Sequence, residues 1–403
     1  MFIFQFLEEK INQTMMISYI PNLIFLIIFS FAIFFFTRNI LKLRRVILMG
    51  RDIDRSDRKS DRIKNMIRIA LGQSKMVTKP ISGILHVVVY VGFIIINIEL
   101  LEIVIDGILG SHRFFSKYIS TSLYNFLIGF FEFFALLVLI AVIVFWIRRN
   151  IVKIKRFLSA EMKGWPKIDA DNILYFEIVL MLLFLSMNAT DLILQNREYY
   201  NQAGFFPISS FLVPLFDSFS TETLYYMERS FWWLHIIGIL FFLNYLYYSK
   251  HLHILLAFPN TYYANLEAKG KFGILESVKN EVLSMFYPEK IQDENTSQVE
   301  KFGASDVLDL NWIQLMNAYS CTECGRCTSE CPANLTGKKL SPRKIMMDTR
   351  DRLEEVSRNI SKNNGVFKDD GNQLLDNFIS REELWACTSC NACVDACPIN
   401  IDP

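Results

Sequence analysis

The residues with the clearest chemistry are cysteines. Cys321-Thr-Glu-Cys324-Gly-Arg-Cys327-Thr-Ser-Glu-Cys331-Pro332 reads C-x2-C-x2-C-x3-C-P, and Cys387-Thr-Ser-Cys390-Asn-Ala-Cys393-Val-Asp-Ala-Cys397-Pro398 repeats it. The two runs use all 8 cysteines of the chain. Three thiolates at two-residue intervals sit on one tight loop and can bind three irons of a [4Fe-4S] cubane, leaving the fourth iron to a cysteine from elsewhere. The proline after each last cysteine stops a helix from running through the loop. Zinc would take two separated C-x2-C pairs and has no use for the third close cysteine.

Where a chain carries two such runs, the fourth cysteine of each ligates the other cluster. The expected ligands are therefore Cys321, Cys324, Cys327 and Cys397 for cluster one, and Cys387, Cys390, Cys393 and Cys331 for cluster two. Disulfides are not expected, because charge placement puts these cysteines in the cytoplasm.

The elements that position them begin in a membrane. Of the 403 residues 52% are hydrophobic and 35 are Phe, a composition unlike that of a single soluble globule. Glu8, Glu9 and Lys10 interrupt the N-terminus and no small-residue cleavage site follows a basic stretch, so a signal peptide is not expected. Apolar runs at about Ile17–Phe36, Ile81–Ile105, Tyr124–Ile147, Ile173–Leu194 and Ser230–Tyr248 are each long enough to span a bilayer. Residues 38–80 hold 13 Lys and Arg and residues 148–172 hold 7, whereas 106–123 has only Arg113 and Lys117, and 195–229 only Arg197 and Arg229. The basic loops belong inside. The expected topology is a bacterial or archaeal cytoplasmic membrane protein with its N-terminus outside and everything after the fifth span cytoplasmic. The net charge of +1 gives no reason to expect nucleic acid, and the basic loops read as topogenic.

Histidine is the second constellation: His86, His112, His235, His251 and His253. Polar side chains inside a bilayer are costly and usually functional. His235 and His253 are 18 residues apart, five full turns of span five, and so share one face about 27 Å apart, with His251 about 160° away from His235. His86, near the cytoplasmic start of span two, can then meet His253 at equal depth, and bis-histidine haem b between them is expected. A second haem at His235 lacks an evident partner: Ile96 and Asn97 stand one repeat along span two, Met187 is on span four, and His112 is in a loop. His235 contacts either that haem or a quinone head group. Glu177, Asn188 and Asp191 add polarity to span four. Glu99 and Glu102 are expected to be wetted at the membrane boundary; with Asp191 and His235 they are candidates to accept protons when a quinol is oxidised at the outer side.

Three regions are expected: 1–258, a five-span membrane domain; 259–304, a linker with an amphipathic helix at Gly273–Phe286 and a solvated stretch, Glu289–Glu300; and 305–403, the cluster domain. The 55 residues from 332 to 386 separate the cysteine runs and supply helices. Ser341-Pro342 is an N-cap and first-turn pair, and Leu374–Trp385 is expected to form a further helix. A helix matching the one after the first run is expected beyond Pro403.

The membrane part resembles the haem b membrane subunits of the nitrate reductase gamma type and of membrane-bound heterodisulfide reductase, through its five spans, His86, and Trp232-Trp233-Leu-His235 with Ser249-Lys-His-Leu-His253. Residues 305–403 resemble the two-cluster iron-sulfur subunit of heterodisulfide reductases, including Trp312-Ile-Gln-Leu-Met-Asn-Ala-Tyr319. The resemblance implies an all-α membrane protein, with a five-helix transmembrane haem b bundle followed by a cytoplasmic α-helical two-[4Fe-4S] ferredoxin domain. The nitrate reductase type has two histidines on span two; this chain has one, so the resemblance carries the inner haem, at His86 and His253. Its expected role is electron transfer between the quinone pool and a cytoplasmic redox partner subunit in a respiratory chain, with the other substrate's site on that partner. The alternatives are a haem-free scaffold tethering a ferredoxin domain, and a membrane redox sensor.

Overall fold

The computed structural model describes residues 2–268, 270–271, 273–287 and 301–403; for residues 2–18, 276 and 277 only the backbone is described. The expected solvated stretch Glu289–Glu300 therefore lies outside the described residues. Helices dominate, and the β-pairing among the described residues is confined to isolated bridges such as Arg51 with Asn311.

Five helices are long and apolar enough to cross a membrane: Tyr19–Ile47, Pro80–Leu109, Thr121–Asn150, Trp165–Asn196 and Thr221–Tyr248. Such runs fold as helices because in hydrocarbon every backbone polar group must find its partner within the segment. Their ends carry local signals. Pro80 occupies the first turn of span two, and Gly110 closes it in the left-handed region (φ 71°), its N–H donating to Asp106 O at 2.8 Å. Ser220 caps span five by accepting from Thr223 N.

Contacts divide the chain into two compact units, and the division is not linear. The first comprises residues 1–40, 76–154 and 163–249; the second, 41–75, 155–162 and 250–403. Two segments read as topogenic loops are thus building material of the second unit.

In the first unit, spans two and three, three and four, and four and five pack against one another. The core holds Phe25, Ile128, Phe131, Ala135, Phe184, Trp232 and Ile236, while Phe34, Phe126, Phe133 and Leu101 face outward. Gly107 gives Phe25 its seat, since a Cβ there would lie 2.7 Å from the ring.

Two expectations need correction here. Glu99 and Glu102 are 3% and 4% exposed, not wetted. The chain after span two folds back over Glu102: Phe115 N of the loop and Tyr124 Oη of span three donate to it at 2.7 and 2.9 Å. Span five is not one helix through His253. It runs from Thr221 to Tyr245, tightens over Leu246–Tyr248, and is broken at Ser249 (φ −112°, ψ 149°) before Lys250–Leu252 and His253–Tyr262. The five-turn register between His235 and His253 therefore does not exist.

The second unit is built around Val46, Val307, Leu315, Leu353, Val356, Leu374 and Ile379. Arg62 is fully buried and donates to the carbonyls of Asp57, Tyr262 and Ala264, which ties the 59–66 helix to the 253–262 helix. The amphipathic helix is observed at Glu276–Phe286. Ser341 caps Pro342–Lys362 as its sequence implies. The helix expected over Leu374–Trp385 is instead a kinked turn, with Asp376 at φ 74°, followed by Arg381–Trp385. Ser380 and Glu383 form a capping box that starts the chain afresh at that point.

Arg352 holds the long insert in place. Fully buried, it donates to Asp306 at 2.7 Å, to Asp370 at 2.8 Å and to Asn372 O at 2.6 Å. Removing one partner of such a cluster strands the others. Arg352→Met should cost about 3 kcal/mol and lower the thermal midpoint read from visible cluster absorbance, while cluster content at low temperature stays at the wild-type level.

Candidate iron-sulfur centres

The two cysteine runs adopt the same local backbone. In the first, Glu323 and Gly325 have positive φ (56° and 72°); in the second, Ser389 and Asn391 stand at the same positions with φ of 54° and 59°. Each loop turns a backbone N–H onto its own first sulfur: Glu323 N to Cys321 Sγ and Ser389 N to Cys387 Sγ, both at 3.4 Å. Short helices follow at Arg326–Ser329 and Ala392–Ala396, and these two pack against each other. N–H groups aimed at ligand sulfurs are one of the means by which a protein tunes a cluster.

The fold also crosses the runs. Cys321 and Cys397 belong to one buried group with Met346 and Ile401, and Ile401 N donates to Cys397 Sγ at 3.3 Å. Cys331 is buried with Ala333, Leu340 and Ala386, the residue before Cys387. All 8 cysteines are free thiols; Cys387 and Cys390 are exposed. Burial pushes the Cys321 thiol up to about 11 and Cys397 to about 12. Without metal these thiols remain protonated at neutral pH, so iron must displace their protons when it binds. Among the described residues, no three His, Cys, Asp or Glu side chains converge as ligands of a single metal ion.

Sequence reasoning missed the supports of the first loop. Glu323, 2% exposed, pairs with Lys250 and with Arg350 at 2.8 Å. Arg343, also buried, donates to Arg156 O at 2.7 Å and pairs with Glu161 at 2.6 Å. No local pattern marks these residues, because their partners are between 27 and 187 positions away.

The histidines are dispersed. His86 is half-buried on span two in the first unit, and His253 lies in the second unit. The His253–Tyr262 helix packs on Trp312–Ser320, the helix that ends at Cys321. Lys250 O lies 3.1 Å from His253 Nδ1, which assigns the proton to Nδ1 and the lone pair to Nε2. His235 is 2% exposed and makes the equivalent contact with Leu180 O at 3.1 Å. It lines a cavity of about 90 Å³ together with Phe93, Glu99, Glu177, Met181 and Phe184.

Residues 320–401 match the family model described as a 4Fe-4S dicluster domain. The chain is 28% identical over 408 residues to the "Probable iron-sulfur-binding oxidoreductase FadF" of Bacillus subtilis, covering 94% of this chain and 53% of that protein. It is 25% identical over 387 residues to the "EtfAB:quinone oxidoreductase" of Syntrophomonas wolfei, covering 90% and 50%. Over 116 residues it is 30% identical to a "Probable membrane-anchored ferredoxin" of Chromohalobacter salexigens, covering 25% and 17%. The chain thus spans about half the length of the first two relatives. No solved structure is matched. The C-terminal part is a 4Fe-4S ferredoxin domain attached to five helices of membrane-span length.

The repeated loop makes its two αL positions unequal. A Cβ on Gly325 would lie 2.5 Å from Arg343 Nη1, and a non-glycine residue at φ 72° costs about 1–2 kcal/mol besides. Gly325→Ala should lower iron per chain measured by colorimetric assay, whereas Asn391→Gly, which keeps an allowed αL residue, should leave it at the wild-type value.

Proposed function

We propose that this chain is a membrane-anchored electron carrier linking the quinone pool, through haem b and two [4Fe-4S] clusters, to a cytoplasmic redox partner subunit. The observation that carries this reading is the pair of crossed, structurally repeated cysteine loops in a chain that also contains five apolar spans. The name of the relative from Syntrophomonas wolfei supports the quinone, and the excess of Lys and Arg in the 38–80 and 148–172 segments supports a cytoplasmic cluster domain.

In this reading Cys321, Cys324, Cys327 and Cys397 hold cluster one, and Cys387, Cys390, Cys393 and Cys331 hold cluster two. The burial of Cys321 with Cys397 supports the first set, and that of Cys331 beside Ala386 the second. Haem b, when bound, supplies one-electron chemistry between quinone and cluster; His86 and His253 are its proposed axial ligands. The Nδ1 contact of His253 supports this role, since a histidine anchored through one ring nitrogen presents the other as a ligand. The packing of its helix on the one leading into Cys321 supports a short path from His253 to cluster one.

Purified in mild detergent and reduced with dithionite, the full chain should show a b-type α-band that His86→Ala and His253→Ala each abolish. A wild-type protein without the band would remove the haem from the path. Ligand sharing is tested separately by electron paramagnetic resonance. Cys397→Ser should alter the same signal as Cys321→Ser, and Cys331→Ser the same signal as Cys387→Ser. The assignment falls if Cys397→Ser and Cys387→Ser alter one signal.

A further inference from the structure

Span two carries Glu99, Glu102 and Asp106, each a turn from the next, and all three face the protein interior at the end of the bundle that carries the 110–120 loop. Glu102 and Asp106 are spoken for. Glu102 accepts from Phe115 N and Tyr124 Oη, and Asp106 accepts from Ser111 Oγ and from the N–H groups of Arg113 and Phe114. Glu99 differs. It is 3% exposed, its Oε1 stands 4.0 Å from Arg113 Nη1, and its Oε2 has no hydrogen-bond partner among the described residues. Leaving a buried carboxylate oxygen unsatisfied costs stability, and such exceptions call for a functional account.

Three cavities explain the placement. The first, about 90 Å³, is lined by apolar side chains with His235, Asn97, Glu177 and Glu99 as its polar groups. A cavity of ~150 Å³ holds a whole benzene ring, so this smaller one receives the edge of an aromatic head group, with the rest of the ring outside it. The second, about 30 Å³, is polar and is lined by Glu99, Glu102, Asp106, His112, Arg113 and Asp191 among others. Water requires only about 10–15 Å³ on this scale. The third, about 400 Å³, is bordered by His112, Lys117, Tyr124, Tyr199 and Tyr200. Glu99 is common to the first and second cavities, and His112 to the second and third. His112 is fixed in that position: its Nε2 lies 3.2 Å from Asp191 Oδ1, and its ring stacks on Tyr200 at 4.1 Å. Asp191 is held in turn by Arg113 Nε at 2.7 Å.

We infer that Glu99 and His112 form a proton path between a quinone ring seated beside His235 and the polar vestibule at the 110–120 loop. This rests on the quinone-linked reading above and gives it a site. Oxidation of a quinol there breaks two O–H bonds. Two electrons leave, one to each iron-sulfur cluster; the proton of one hydroxyl passes to the Glu99 carboxylate and through the small polar cavity to His112 and out, and the proton of the other passes to His235 Nε2 and then to Glu99 once the first has moved on. His235 Nε2 accepts a hydrogen bond from the other quinol hydroxyl, its tautomer fixed by the Leu180 carbonyl. Quinone reduction takes up two protons by the same route in reverse. Arg113 is a positioning residue, holding Asp191 beside His112.

The test uses the full chain in liposomes containing menaquinone-4 as the probe, with its clusters first reduced by dithionite and then desalted. Stopped-flow absorbance follows cluster reoxidation by the quinone, and a separate run uses ferricyanide. Glu99→Gln and His112→Ala should each slow quinone-driven reoxidation at least about tenfold, the lower bound of a lost proton transfer being near a hundredfold when chemistry limits the rate. Ferricyanide-driven reoxidation should stay at the wild-type rate. Glu99→Asp should recover most of the rate, and added imidazole should accelerate His112→Ala. Variants within twofold of wild type overturn the path and leave the quinone-linked reading standing, as does slowing that ferricyanide shows equally, which marks a structural defect. A wild-type protein reoxidised by ferricyanide but not by menaquinone-4 overturns the quinone-linked reading and the path with it.

Discussion

Two loops of the same backbone shape, folded so that Cys397 is buried beside Cys321 and Cys331 beside Ala386, set the terms for the rest of the second unit. Burial favours the neutral form of Cys321 and Cys397 and raises both thiols well above their ordinary range. They need iron to become ligands, and they need a rigid frame to wait for it. The frame consists of long-range ion pairs: Arg350 and Lys250 on Glu323, Arg343 on Glu161, and Arg352 on Asp306 and Asp370. Buried pairs of this kind add little net stability over a well-packed apolar core, but they tolerate few alternative arrangements. Here they specify where each loop sits.

The same economy governs the first unit. Span two places carboxylates at turn-to-turn spacing in a largely apolar segment, and the loop that follows it returns to satisfy Glu102 and Asp106 with backbone N–H groups. Arg113 reaches Asp191 and Asn188, and Asn188 passes the network to Glu132, which accepts from the N–H groups of Ile208 and Ser209. Loops and spans thus share one polar core. Polar side chains between membrane helices are expensive, so a buried carboxylate oxygen of Glu99 left unpartnered beside this network points to a purpose for that oxygen.

Local spacing determined what the sequence by itself could settle. Eight cysteines in two C-x2-C-x2-C-x3-C-P runs specify the ligand class, since the loop must bend within those few residues wherever it lies in the fold. The five spans follow from unbroken apolar length, which no tertiary context is needed to interpret. The cap signal at Ser341-Pro342 was equally legible, acting within one turn.

Tertiary structure decided everything that depends on distant partners. Residues 41–75 and 155–162, basic enough to read as connecting loops, pack with 250–403, because Arg62 and Arg343 are valued there as donors to carbonyls and carboxylates far along the chain. Glu99 and Glu102 look like boundary residues by position and are buried, Glu102 beneath the following loop through Phe115 N. The helical register from His235 to His253 is broken at Ser249 by a change of backbone conformation that the apolar pattern does not record. Periodicity reports what a segment can become. Which carboxylate lies beside which cavity is set by packing between segments, and that information is absent from any one of them.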